Sequence, residues 1–314
     1  MSSLAGAGFV ETKQHRRFRE FCDACRRYQY IGLCYVPPGV GKTLSARHYA
    51  NWDTIERYRP DAAGGTVTLE QVKGSAIVFY TPPVVVTPGR LPNDIDRLRD
   101  RLRGFSLEEI RREERPRLES ANREVEALHE YHRRTGLNGF DVPPEEVARR
   151  QDEWRRIFER MSGRERAQPD PTALILIDEA DRLKMTGLEQ MRAIFDQGGI
   201  GMVLIGMPGL EKRLARYPQL YSRIGFVHEF KPLSREEVRQ LLQDRWWPAH
   251  APLPEGGIAD EASIAASIRI TGGNFRLLHR PLTQIGRVLE INKLEKVTLP
   301  VVEASRESLV IRTA

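Results

Sequence analysis

The fold is indicated by the stretch YIGLCYVPPGVGKT, residues 30–43. Its first part, Tyr30 to Tyr35, is a short apolar run of the kind that forms a buried strand. The turn that follows holds Gly39 and Gly41, and Leu44 to Trp52 is predicted to form a helix. A strand, a glycine-rich turn and a helix in this order form the context that a phosphate-binding loop requires.

The chemistry expected of this loop follows from its residue types. Gly39 and Gly41 let the backbone turn so that successive N–H groups point at phosphate oxygens. We expect Lys42 to reach the terminal phosphates and the Thr43 hydroxyl to bind Mg²⁺ at the helix N-terminus, where the dipole also favours an anion. The predicted site for ATP and Mg²⁺ comprises Pro38, Gly39, Val40, Gly41, Lys42, Thr43 and Leu44.

The loop departs from the full pattern G-x-x-x-x-G-K-[ST] at one position, because Val36 stands where the pattern has glycine. The bulkier entry leaves the two glycines, the lysine and the threonine intact. Two alternatives remain beside ordinary ATP use: a glycine-rich surface turn without a ligand, and a nucleotide site with weakened or altered turnover. The position between a strand and a helix favours a nucleotide site.

An acidic pair complements the loop. The aliphatic run from Thr172 to Ile177 is predicted to be a strand and ends on Asp178 and Glu179. Parallel strands deliver such residues to the sheet edge where ligands bind. Asp178 is predicted to hold Mg²⁺, directly or through water, and Glu179 to orient and deprotonate the attacking water. The alternative is a pair of acids that satisfies a helix dipole. Asp181 is interpreted as surface charge.

The order of predicted elements indicates an α/β fold with a mainly parallel sheet flanked by helices, followed by a small all-helical region. The predicted parts are an N-terminal helical segment at 1–30, a nucleotide-binding core at 31–231 and a helical lid with the C-terminal segment at 232–314. Residues 90–168, rich in Arg and Glu, are predicted to be a helical insertion in the core. Ser106 and Glu109 form a capping box that predicts a helix start there, and Pro143-Pro144 breaks the insertion.

The composition bears on the possible partners of the protein, on its location and on the role of its cysteines. The net charge is +6 and the sequence pI about 9.3, which permits a polyanionic partner without demanding one. No aliphatic run approaches the roughly 20 residues of a membrane span, and the first residues lack a secretory pattern, so we expect a cytoplasmic protein. Cys22 and Cys25 form a C-x-x-C. Because they share a predicted helix face with Phe18 and Phe21, packing is favoured over a metal or redox role.

Three further stretches resemble the AAA+ ATPases that regulate DNA transposition, the TniB/TnsC/MuB group. They are LILIDEADRL at 174–183, LIGMPGL at 204–210 and YSRIG at 221–225, and the resemblance extends over about residues 13–290. It implies an AAA+ P-loop core with a C-terminal helical lid. It also implies a homo-oligomer, as a ring or helical filament, that forms on double-stranded DNA with ATP. Its implied partners are a transposase and a target-selection protein.

The resemblance implies roles for two arginines. Arg223 resembles the finger that such proteins insert into a neighbouring subunit's site, where it stabilises transition-state charge. Arg276 resembles the lid arginine that senses the terminal phosphate within its own subunit. The alternatives are a surface ion pair for Arg223 and an ordinary helix start at Arg276. Many AAA+ proteins have a polar sensor near the position of Gly206-Met207, but here that role stays unassigned.

DNA contact is inferred from a basic stretch after the second predicted strand, in the region where relatives present loops to the duplex. The predicted contacts are Thr87, Arg90, Arg97, Arg99, Arg101 and Arg103. Arginines on phosphates would bind duplex DNA without sequence preference and in a salt-sensitive way. The alternative is a solvated charged helix, since acids such as Asp94, Asp96 and Asp100 lie among them.

The preferred function is an ATP-dependent regulator that recruits or activates a transposase and is released from DNA by hydrolysis. One rival is a nucleotide-gated protein interaction module with little turnover, in which the insertion serves as a docking arm. Another is a different DNA-linked AAA+ role such as helicase loading, although about 25 residues after Glu290 are few for an added DNA-reading domain.

Overall fold

A computed structural model describes residues 9–35, 37–60, 65–85, 89–135, 144–243 and 261–307. The chain forms two compact units. The first comprises Met1–Ala50, Phe79–Leu91 and Leu174–Ala314, and the second comprises Asn51–Val78 and Pro92–Ala173. The C-terminal helices belong to the same unit as the phosphate loop.

A five-stranded sheet forms the centre of the fold. Its strands are β1 (Ile31–Tyr35), β2 (Ile77–Tyr80), β3 (Leu174–Ile177), β4 (Gly201–Gly206) and β5 (Ile224–Glu229). The strand order is β2-β3-β4-β1-β5, and β1 pairs in parallel with both β4 and β5, as does β3 with β4. The strands β2, β3 and β4 are buried throughout, as expected of parallel strands covered on both faces. The predicted fold class is confirmed.

Helices precede, separate and follow the strands. They are α1 (Lys13–Tyr28), α2 (Lys42–Tyr49), α3 (Trp52–Arg57), α4 (Arg90–Thr135), α5 (Pro144–Ala167), α6 (Met185–Asp196), α7 (Leu210–Leu214), α8 (Pro218–Tyr221), α9 (Arg235–Gln243), α10 (Glu261–Thr271), α11 (Phe275–Asn292) and α12 (Leu299–Glu307). Short 3-10 turns lie at Leu69–Gln71 and Ala180–Arg182. None of the helices in the described ranges has the length and apolar character needed to cross a membrane.

Helix α1 packs closely on the sheet through the face that carries the C-x-x-C. Cys22 and Cys25 are fully buried beside Phe18, and burial raises the pKa of the Cys25 thiol to about 12. A Cβ atom at Gly201 would lie 2.4 Å from the Cys25 carbonyl oxygen, so only glycine allows this approach. The two cysteines therefore occupy packing positions in the core.

The C-terminal helices enclose an apolar cluster of their own. Its members are Leu233, Val238, Leu241, Leu242, Ile264, Ala266, Leu278, Leu282, Ile285, Leu289, Val297, Val301 and Val302. The first of these helices, α9, begins with a capping box: Ser234 Oγ accepts from the Glu237 N–H at 3.2 Å, and Glu237 Oε2 accepts from the Ser234 N–H at 2.9 Å. We call this region, Leu233–Glu307, the lid.

The insertion consists of α4 and α5, which ion pairs join. Arg111 Nε lies 2.7 Å from Glu165, and Arg164 bridges Glu113 at 2.7 Å and Glu114 at 3.0 Å. The start of α5 at Pro144 agrees with the predicted break. We call these two helices the arm.

The helix start predicted at Ser106 is wrong, because α4 runs unbroken through it from Arg90 to Thr135. Leu102, Phe105 and Ile110 are buried on both sides of that position. Continuous packing of one helix face outweighs a local capping signal.

Candidate functional site

The phosphate loop follows β1 directly and ends where α2 begins at Lys42. Gly39 and Gly41 have φ angles of +85° and +99°, in the left-handed region that favours glycine. Val36, the departure from the full loop pattern, lies outside the described residues. Pro38 and Leu44 are exposed, Val40 is buried, and Lys42 and Thr43 are half-buried.

Thr43 and Asp178 meet at the carboxyl end of the sheet, as the sequence predicts. The Thr43 hydroxyl donates to Asp178 Oδ2 at 2.6 Å, and Asp178 Oδ1 accepts from the Glu179 N–H at 2.9 Å. Asp178 is only 1% exposed. Burial raises the pKa of its carboxyl group, against the opposing effects of the Thr43 hydrogen bond and the Lys42 charge. A hydroxyl beside a carboxylate is a pair of hard oxygen ligands that suits Mg²⁺.

Glu179 has an unusual backbone and an engaged side chain. Its φ of +51° places a non-glycine residue in the left-handed region, a strained state that is frequent at functional sites. Its carboxylate pairs with Arg182, whose Nη1 also donates to the Pro82 carbonyl at 3.0 Å. The predicted base is thus held by an arginine three residues further along the chain, and the sequence pattern did not indicate this arginine.

Met207 follows β4 and contacts Asp181, which lies in the 3-10 turn after β3. The Lys42 ammonium is 4.0 Å from Met207 Sδ, so a thioether occupies the neighbourhood where a polar sensor was sought. Asp181 Oδ1 accepts from the Met207 N–H at 3.2 Å, and the Asp181 carbonyl accepts from Arg213 Nη1 at 2.9 Å. The interpretation of Asp181 as surface charge is therefore wrong, because the residue ties the end of β4 to the acidic turn.

The lid reaches the phosphate loop through the start of α11. Asn274 Nδ2 donates to the Pro38 carbonyl at 2.8 Å, and the Arg276 N–H donates to the Gly39 carbonyl at 2.9 Å. The backbone of Arg276 thus touches the loop, while its side chain is exposed. Asn274 was not among the predicted site residues. The available signal was an asparagine just before a helix, the type preferred at an N-cap.

Arg223 lies between α8 and β5 and is engaged within its own subunit. Its Nε and Nη2 lie 2.5 Å and 2.8 Å from the two carboxylate oxygens of Asp196, and its Nη1 donates to the Gln219 carbonyl. Asp196 raises the pKa of the guanidinium. The ion pair weighed as the alternative is present, and it also presents the guanidinium at a surface, where Arg223 remains 29% exposed.

The predicted DNA-contacting arginines differ in their exposure and in their partners. Arg99 Nε pairs with Asp170 at 2.6 Å, and Arg101 Nη2 donates to the Ile55 carbonyl at 2.6 Å, so these two have structural partners. Burial lowers the pKa of Arg101. Arg97 is exposed and lies 3.6 Å from Asp94 Oδ1, Arg90 is exposed, and Arg103 is half-buried. Thr87 lies outside the described residues.

The family is settled by a match between residues 25–214 and the AAA domain family model, which covers more than half of the chain. The chain is a member of the AAA domain family. A Staphylococcus aureus protein described as a potential ATP-binding protein is 39% identical over 306 residues, which cover 96% of this chain and 97% of that protein. ATP binding is implied by both findings.

Two further comparisons are more distant. The Mu-like prophage FluMu DNA transposition protein B of Haemophilus influenzae is 28% identical over 114 residues, which cover 33% of this chain and 36% of that protein. A point mutant of Thermotoga maritima RuvB superposes with a TM-score of 0.50 at 16% identity, covering 99% of this chain and 74% of the RuvB chain. At that identity the second likeness supports the fold alone.

Proposed function

We propose that this AAA protein is an ATPase that regulates DNA transposition. In this proposal it assembles on double-stranded DNA with ATP, recruits or activates a transposase, and leaves the DNA after hydrolysis. The observation that carries the proposal is the likeness to a Mu-like transposition protein B, in a chain whose Thr43 and Asp178 already meet. A ring or filament and a target-selection protein remain part of the proposal.

The proposed roles start from the phosphate loop. N–H groups of residues 39–44 would bind phosphate oxygens, and Lys42 would balance the charge of the terminal phosphates. Thr43 and Asp178 fit Mg²⁺ because their oxygens are already 2.6 Å apart. When bound, Mg²⁺ would neutralise charge that develops between the β- and γ-phosphates.

Glu179 would act as the base that orients and deprotonates water. To do so, its carboxylate must leave Arg182 and bind a water molecule instead. An enzyme whose activity is switched on and off could use such a change. Arg276 would contact the terminal phosphate in its own subunit. Arg223 would serve the site of a neighbouring subunit, once it leaves Asp196. Both arginine roles make turnover depend on closure of the lid or on assembly.

The test is the rate of phosphate release with and without duplex DNA, for the native chain, for Glu179→Gln and for Glu189→Gln. Glu189 is a matched control because it also pairs with an arginine three residues later, Arg192, but lies on α6. We expect DNA to stimulate the native chain and the control alike. Glu179→Gln should still bind ATP and lose at least about 100-fold in turnover. Equal rates for all three proteins would refute the assignment of the base.

The transposition step needs its own measurement. Retention of duplex DNA on a filter should require ATP, should last longer for Glu179→Gln than for the native chain, and should not depend on DNA sequence. Purified transposase added to the DNA-bound protein should then integrate transposon ends near it. ATP-dependent DNA binding without any effect on integration would favour another DNA-linked role such as helicase loading.

One rival function has a specific observation in its favour. Because Glu179 is paired with Arg182 and Met207 lies beside Lys42, the site resembles one built to bind ATP and turn it over slowly. In that case the chain would be a nucleotide-gated interaction module. Tight ATP binding with no turnover in the native chain, with or without DNA, would move this function to first place.

A further inference from the structure

We propose that Asn274 is a positioning residue of the nucleotide site, which ties the phosphate loop to the lid and orients the N–H groups of Gly39 and Val40. The inference rests on the proposed binding of ATP by residues 38–44. The inference adds Asn274 to the nucleotide site and explains how the lid influences the phosphate loop.

Asn274 uses both ends of its side-chain amide. Its Oδ1 accepts from the N–H groups of Arg276 and Leu277 at 3.1 Å and 3.2 Å, which caps the N-terminus of α11. Its Nδ2 donates to the Pro38 carbonyl at 2.8 Å. A cap alone needs only the oxygen, so the second bond is an additional function of this side chain.

A second hydrogen bond also joins the start of α11 to a carbonyl group of the phosphate loop. The Arg276 N–H donates to the Gly39 carbonyl at 2.9 Å, so two consecutive carbonyl groups of the loop point at the start of α11. In a trans peptide the carbonyl of one residue and the N–H of the next point in opposite directions. Holding the carbonyls of Pro38 and Gly39 on the lid therefore directs the N–H groups of Gly39 and Val40 away from it. Successive N–H groups with a shared orientation form an anion-binding cradle.

The contact is close enough to constrain the loop. A Cβ atom at Gly39 would lie 2.5 Å from Asn274 Oδ1 and 3.1 Å from Arg276 Cβ. The absence of a side chain at Gly39 thus serves the lid contact as well as the positive φ angle. A shift of α11 changes the surroundings of the loop directly.

Asn274 itself is held by the lid. The Leu233 N–H donates to the Gly273 carbonyl at 2.9 Å, and a Cβ atom at Gly273 would lie 2.0 Å from the Leu233 carbonyl oxygen. Leu233 belongs to the apolar cluster of the lid, as does Leu278 on α11. The amide of Asn274 therefore links a packed lid to a loop whose peptide planes it orients.

The test compares Asn274→Ser, Asn274→Ala and Asn292→Ser by the dissociation constants of ATP and ADP, KM, kcat and Tm. Serine keeps a good N-cap but is too short to reach Pro38, and it adds no charge near the phosphates. Alanine removes both functions. Asn292 is a matched control, because its Nδ2 also donates to a backbone carbonyl at 2.8 Å, that of Val288, at the other end of α11.

We expect Asn274→Ser to weaken ATP and ADP binding about tenfold and to raise KM in step, with kcat at saturation and Tm unchanged. Asn274→Ala should weaken binding equally and also lower Tm, and Asn292→Ser should bind like the native chain. Native binding by Asn274→Ser would overturn the inference and leave Asn274 as a helix cap. A native chain that binds no nucleotide would overturn the proposed function, and the inference with it.

Discussion

Replacing Thr43 with valine removes one hydrogen bond while keeping the shape of the side chain. The bond is 2.6 Å long, and its acceptor, Asp178, is 1% exposed. Hydrogen bonds to charged groups contribute about 1.5–3 kcal/mol, so the free energy of unfolding without nucleotide should fall by about 2 kcal/mol at pH 8. For a chain of this length that corresponds to a Tm lower by about 3 °C.

The loss should depend on pH in a defined direction. Burial raises the pKa of Asp178 above its ordinary value of 3.8, so the native protein loses stability as pH rises through the pKa of the folded state. The Thr43 hydroxyl opposes this loss because it donates to the ionised carboxylate. The difference between Thr43→Val and native protein should therefore be smallest at low pH, where Asp178 is protonated, and largest at high pH.

Urea unfolding at a series of pH values measures this difference. Thr283→Val is the matched control, since its hydroxyl donates at 3.0 Å to a neutral acceptor, the His279 carbonyl. That variant should lose no more than about 1 kcal/mol, equally at every pH. A loss for Thr43→Val that does not change with pH would refute the idea that the hydroxyl stabilises a buried carboxylate. Thr43→Val should also retain ADP binding without Mg²⁺ and lose the additional affinity that Mg²⁺ provides.

Three other substitutions probe contacts seen in the site and the core. Arg182→Gln should release Glu179 and raise turnover without DNA several-fold in a phosphate-release assay; an unchanged rate would mean that the pair does not restrain the base. Asp196→Asn should free Arg223, so that turnover reaches its half-maximum at a lower protein concentration, and an unshifted dependence would count against a role in trans. Gly201→Ala should lower the free energy of unfolding by about 3 kcal/mol in urea, because its Cβ would lie 2.4 Å from a backbone oxygen of α1; native stability would contradict the close packing of α1 on β4.

The features that could be predicted are those that a local sequence pattern determines. Aliphatic runs predicted β1 and β3 to within two residues, and Asp178, which follows β3, meets the loop threonine because parallel strands share one edge. Turn glycines with positive φ at Gly39 and Gly41 likewise follow from a local pattern.

Two of the missed features depend on partners that are distant in the sequence. Asn274 and Pro38 are 236 residues apart, and nothing local to either residue indicates the bond. The Asp181 side chain accepts a hydrogen bond from the backbone N–H of Met207. A contact with the backbone leaves no trace in the pattern of charged residues. At Ser106 a local capping signal was present, but the continuous buried face of α4 outweighed it.

The ion pairs of the arm have a practical consequence for DNA-binding experiments. Exposed pairs such as Arg111–Glu165 are screened as ionic strength rises, whereas the aliphatic sheet is not. Salt also weakens phosphate contacts, and the slope of affinity against salt is commonly converted into a number of contacts. In this protein a loosening arm would add to that slope. Circular dichroism recorded in the same titration separates the two, since loss of helix reports the arm and loss of binding at constant helix reports the phosphates.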